Sequence, residues 1–90
     1  MRAIHAVVEG VVQGVGFRYY TARVAMALEL TGWVRNLDDG SVEVSAQGPG
    51  DAVTEFVAFL EVGPAGASVT GCLVEDVAAD PDYQNFEVRF

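Results

Sequence analysis

The stretch Gly10-Val11-Val12-Gln13-Gly14-Val15-Gly16-Phe17-Arg18 holds the residue types in this chain best suited to chemistry. It leads from a β-prone segment into a helical one. Backbone N–H groups at such a junction have no intrahelical acceptor and carry the positive end of the helix dipole, so they form a ready anion cradle. Glycines let that backbone approach a phosphate, although by themselves they equally suit a plain tight turn. Arg18 sharpens the reading. A cation in the first helical turn opposes the macrodipole, at a cost of about 0.3–1 kcal/mol, unless something negative sits beside it. A guanidinium grips two phosphate oxygens at once, which an ammonium does less well. The alternative partner is a nearby Asp, Glu or the chain's terminal carboxylate. The candidate phosphate loop is therefore Gln13, Gly14, Val15, Gly16, Phe17 and Arg18.

A second segment, Gly32-Trp33-Val34-Arg35-Asn36-Leu37-Asp38-Asp39-Gly40-Ser41-Val42-Glu43, places Asn36 at the end of a β-prone run just before a turn. Taken alone, Asn36 reads as a turn former bonding its own backbone. Other reactive side chains offer less. His5, the single histidine, shares a strand with Glu9 and reads as a solvated or sheet-face residue. Cys72 is the single cysteine, so it has no disulfide partner; it reads as a small hydrophobe rather than a nucleophile. Asp38, Asp39, Asp80 and Asp82 fall in turns without a ligand pattern such as an EF-hand loop, so no metal and no cofactor are expected. Phe17, Tyr19, Tyr20 and Trp33 are at spacings that suit core packing better than a binding surface. Arg23 and Arg35 read as surface residues.

The elements that must position these groups follow from periodicity. Ala3 to Val12 alternates as a first strand. After the glycine stretch, Tyr20, Val24, Ala27 and Leu28 fall on one helical stripe. Gly32 to Leu37 and Ser41 to Gln47 are two β-prone runs joined by Asp38-Asp39-Gly40, which suits a tight antiparallel hairpin. Asp51 can cap a second helix whose Val53, Phe56, Val57 and Leu60 face the core, ending near Gly63-Pro64. Gly66 to Thr70 reads as a loop, Leu73 to Ala78 as a strand, and Phe86, Val88 and Phe90 as one face of a short terminal strand. The order βαββαβ plus that last strand predicts a ferredoxin-like α/β sandwich, an antiparallel sheet covered on one face by two helices. A shift of about 34 residues, roughly one βαβ unit, aligns Gln13-Gly14 with Gln47-Gly48 and Gly16 with Gly50 as a faint repeat.

Ninety residues suffice for one domain, residues 1–90, and 51 % hydrophobic residues exclude the disordered class. No apolar segment approaches the ~18 residues of a membrane span and no export signal is seen, so the expectation is a cytoplasmic protein without a membrane partner. The net charge is −8 and all five basic residues are arginines, which opposes binding to a nucleic-acid backbone. The same field opposes small anions at long range, so a phosphate site must rely on short-range donors. A monomer is expected.

The residues Gly10-x-Val12-Gln13-Gly14-Val15-Gly16-Phe17-Arg18 and Gly32-Trp33-Val34-Arg35-Asn36-x-x-Asp39-Gly40-x-Val42-Glu43 closely resemble the two signature motifs of the acylphosphatases. The resemblance extends to Gln47-Gly48 and to the ending Asn85-Phe86-Glu87-Val88-Arg89-Phe90, and so spans nearly the whole chain. It implies a metal-independent hydrolase of the carboxyl–phosphate bond of acyl phosphates. Arg18 then matches the family's phosphate-binding arginine, Asn36 its water-positioning asparagine, and Gln13 to Arg18 its phosphate cradle. Glu29 stands where family members commonly have glycine; if that position needs positive φ, the cost is on the order of 1 kcal/mol. The alternative is a non-catalytic ferredoxin-like module that binds phosphate or carbamoyl phosphate, against which the ending directly after a strand argues. A terminal strand beside the first would bring the Phe90 carboxylate near Arg18.

Overall fold

Alternation in β1 (Arg2–Val11) turns Ile4, Ala6 and Val8 to one side of the strand, where all three are fully buried. The computed structural model describes every residue from Met1 to Phe90. The remaining elements are α1 (Phe17–Ala27), β2 (Thr31–Asn36), β3 (Val42–Gly48), α2 (Gly50–Val62), β4 (Ser68–Val77) and β5 (Phe86–Arg89). The five strands lie in the order β4-β1-β3-β2-β5. Val34, Val42, Val44 and Ala46 continue the buried face of β1 and meet Phe17, Ala22 and Ala25 of α1 and Val53, Phe56 and Leu60 of α2. The expected ferredoxin-like sandwich is therefore present, with two helices on one face of the sheet.

One pairing refines the expectation of an antiparallel sheet: β5 runs parallel to β2, so the sheet is mixed. The reason lies in where β4 ends. Val77 at the end of β4 pairs with Ala3 at the start of β1, at the same end of the sheet where β5 begins beside Gly32. The chain crosses from one sheet edge to the other along that end, and β5 can only run back in the direction of β2. Local periodicity carries no information on which edge a strand joins.

Three local expectations are corrected. Strand β4 starts at Ser68, inside the segment read as a loop, because it follows β1 past an irregularity at Glu9 and Gly10. Gly10 permits this approach: a Cβ there would sit 2.1 Å from the Ser68 carbonyl oxygen. The buried side of α1 is Phe17, Thr21, Ala22 and Ala25, while Tyr20 and Ala27 are exposed. Three small or short side chains let the helix lie close to the sheet, which a stripe weighted to large residues does not capture. Finally, Pro49 occupies the N-cap of α2, and Asp51 sits inside the first turn, where its carboxylate accepts from the Ala52 N–H at 2.9 Å and complements the dipole.

Glu29 ends α1 in the left-handed region, at φ 58°. Its N–H donates to the Met26 carbonyl at 3.1 Å and that of Leu30 to Ala25 at 2.9 Å, the two bonds of a Schellman cap, with Leu30 and Ala25 both buried. A Cβ in this conformation is strained. Glu29→Gly is expected to stabilise the fold by about 0.5–1 kcal/mol, read as a rise of a few degrees in melting temperature; a fall would contradict the strain.

Candidate active site

The ends of β1, β2 and β5 reach the same edge of the sandwich, and the candidate residues converge there. Gly14 and Gly16 both adopt φ 76°, so the loop between β1 and α1 turns twice through the left-handed region that glycine tolerates. Gly16 is the N-cap of α1, no side chain caps the helix, and its first turn contains no acidic residue. The first-turn N–H groups are thus left to whatever occupies the loop. A cleft of about 380 Å³ opens over it, lined by Gln13, Gly14, Gly16, Phe17, Arg18 and Asn36. Val12, Tyr19, Val88 and Phe90 complete the wall.

Arg18 has no Asp or Glu ion-pair partner; the arginines that do are Arg2, Arg35 and Arg89. Its guanidinium donates from Nη1 to the Arg89 carbonyl at 3.0 Å and lies 4.7 Å from the centre of the Phe90 ring. The chain's end therefore does reach Arg18, from a strand beside β2 rather than beside β1, and the contacts are a carbonyl oxygen and an aromatic face. Neither neutralises the cation. A guanidinium without a carboxylate partner beside uncapped helix amides is, in a protein of net charge −8, a local arrangement chemically suited to an anion.

Asn36 closes β2, paired with Val42 at the start of β3. Its Oδ1 is buried without any hydrogen-bond donor. An orphaned buried acceptor costs about 1–3 kcal/mol. The turn-former reading of Asn36 is thereby set aside: the turn is closed instead by Asp39, whose Oδ1 accepts from the Ser41 hydroxyl at 2.5 Å and the Ser41 N–H at 3.0 Å. Those bonds hold the Asp39 carboxyl below its ordinary pKa.

Two loop members behave differently from the cradle reading. Val15 does not line the cleft but packs half-buried against the core. The Gln13 side chain is engaged elsewhere, its Nε2 donating to the Leu37 and Ser41 carbonyls at 2.7 and 2.9 Å. The aromatics expected in the core divide: Phe17 is buried, whereas Tyr19 and Tyr20 are exposed and Trp33 lies half-exposed on the sheet face away from the helices. Of the other residues that line the cleft, the sequence assigns Tyr19 to core packing and Val88 to a strand face, and the terminal-strand position of Phe90 is the one available signal.

The remaining titratable groups lie elsewhere. His5 is on the sheet's open face, its Nε2 at 2.7 Å from Glu43 and Nδ1 at 3.7 Å from Glu75. Burial raises the Glu43 pKa, but hydrogen bonds from His5 and Arg35 outweigh it and leave the carboxyl below its ordinary value. Burial, with Glu61 adding, pushes the Cys72 thiol up, opposite to what a nucleophile needs.

A model of the acylphosphatase family matches residues 4–88. An acylphosphatase of Syntrophotalea carbinolica is 49% identical over 83 residues, covering 92% of this chain and 90% of that protein. The crystal structure of acylphosphatase from Bacillus subtilis superposes with a TM-score of 0.95 at 37% identity, each chain covered completely. T. kodakarensis HypF matches the whole of this chain at 28% identity and TM-score 0.85, but over only 12% of its own length. Matched in sequence from the first strand to the last, and in fold over its full length, the chain belongs to the acylphosphatase family.

Proposed function

We propose that the acylphosphatase activity runs here as in-line attack of water on the phosphorus of a small acyl phosphate, without metal or cofactor. The loop Gln13–Arg18 holds the phosphoryl group, its amides and Arg18 contacting the equatorial oxygens. Asn36 orients the attacking water: either face of its amide offers the water a hydrogen-bond partner, and a half-turn about its terminal bond brings Oδ1 to the cleft as acceptor. The water oxygen–phosphorus bond forms as the phosphorus–oxygen bond to the acyl group breaks. Carboxylate and inorganic phosphate leave, and the water's proton passes to the phosphate itself. A carboxylate is a good leaving group, so positioning and charge stabilisation meet most of the demand.

The observation that carries this reading is the convergence of Arg18 without a carboxylate partner, uncapped helix amides and the Asn36 side chain on one cleft. The same reading takes the chain as one monomeric, cytoplasmic domain with no nucleic-acid or membrane partner; its net charge of −8 supports the first exclusion. No helix is long and apolar enough to cross a membrane. The test is hydrolysis of benzoyl phosphate in excess chelator, followed by release of benzoate. Turnover unchanged by chelator is expected. Activity that dies with chelation refutes the metal-free mechanism, and phosphate binding without hydrolysis replaces it with a binding module.

A further inference from the structure

We propose that Gln13 is a positioning residue, a strut that sets the phosphate loop at its working distance from Asn36; this rests on the roles given to Arg18 and Asn36 above. Arg18 and Asn36 belong to different parts of the chain, one after β1 and one at the end of β2, and β3 lies between those strands in the sheet. Ladder bonds therefore do not join the two directly. Glycines give the loop little side-chain anchoring of its own, since Gly14 and Gly16 both stand at positive φ and a Cβ at Gly14 would touch nothing.

Gln13 bridges that gap. Both protons of its amide are used, on the Leu37 carbonyl at 2.7 Å and the Ser41 carbonyl at 2.9 Å. The orientation is forced, because the amide oxygen in that place would face two acceptors. Leu37 follows Asn36 directly, and its N–H in turn donates to the Ser41 carbonyl at 2.9 Å. One side chain thus grips both sides of the hairpin neck that ends in Asn36, while its own backbone begins the phosphate loop.

The faint internal repeat supplies an independent parallel. Gln47, aligned with Gln13, also stands at the passage from a strand to a helix. It too clamps a remote loop, donating from Nε2 to the Asp80 carbonyl at 2.8 Å and accepting the Asp80 N–H at 2.8 Å. In both βα units a glutamine fastens backbone beyond the strand ends; only in the first unit does that backbone adjoin a candidate catalytic residue.

The variant Gln13→Met keeps length and removes both donors. Its kcat for benzoyl phosphate is expected to fall about 10- to 100-fold, with inhibition by inorganic phosphate little changed, because Arg18 and the loop amides remain. In an Asn36→Ala background the same substitution should have almost no further effect on kcat, since nothing is left to align. Equal losses in both backgrounds, an unchanged kcat, or phosphate inhibition weakening in step with turnover each overturn the strut. A fully active Asn36→Ala protein overturns the reading of Asn36 and this proposal together, whereas a crippled Asn36→Ala beside a fully active Gln13→Met overturns this proposal alone. Circular dichroism melts verify folding; Gln13→Asn, too short to reach the hairpin, carries the same expectations if the Met variant is unfolded at the assay temperature.

Discussion

Arg18→Ala is expected to lower kcat/KM for benzoyl phosphate by about 10³- to 10⁵-fold, the range seen when a guanidinium is removed from a phosphoryl-transfer site. Arg18 is the one arginine in the cleft, and the other basic residues are spread through a surface of net charge −8. No second cation stands ready to replace it, so the phosphoryl oxygens would face the loop amides alone. Inhibition by inorganic phosphate should disappear with turnover. Stability is expected to change little, because the side chain's contacts are one carbonyl at 3.0 Å and the exposed Phe90 ring. Arg18→Lys should recover only part of the loss, since an ammonium cannot reproduce the two-pronged grip. A folded Arg18→Ala protein with near-normal kcat/KM would falsify the clamp.

For Asn36→Ala the loss falls elsewhere: kcat should drop by about 10²- to 10³-fold, the effect of deleting one preorganised polar group, while inorganic phosphate still inhibits at its usual concentration. In the proposed mechanism Arg18 and the helix amides hold the anion and Asn36 acts on the water, which ground-state binding does not sense. The structure adds a second expectation. Because Oδ1 accepts no hydrogen bond from the protein, truncation breaks none there, and the melting temperature should hold. A stability loss accompanied by weakened phosphate inhibition would instead mark Asn36 as a structural support of the loop.

The proposed roles match how the residues are held. The guanidinium of Arg18 is steadied from behind by the Arg89 carbonyl and the Phe90 ring. Asn36 is fixed through its backbone by pairing with Val42 at the mouth of a hairpin whose turn Asp39 and Ser41 close. Gln13, where the loop begins, is bonded to that hairpin through the Leu37 and Ser41 carbonyls. Acidification probes the turn as well. The Asp39 pKa is lowered, so the turn's contribution is present above the ordinary carboxylate range and is lost as pH falls through the folded-state value.

Several features were determined by sequence alone because their causes are local. Alternating Ile4, Ala6 and Val8, the spacing of Val53, Phe56 and Leu60, and the Asp-Gly turn are periods and turn chemistry, and each produced its element. Arg18 stood out because a cation in a first helical turn opposes the dipole, and the structure gives it no Asp or Glu partner. The orphaned Asn36 oxygen, the Gln13 strut and the Phe90 ring over Arg18 were decided only by tertiary structure. The last two join residues more than twenty positions apart through the order β4-β1-β3-β2-β5, and that order follows from which edge of the sheet the last strands bury. Periodicity along a chain records which face of an element is apolar; it does not record which neighbour that element meets.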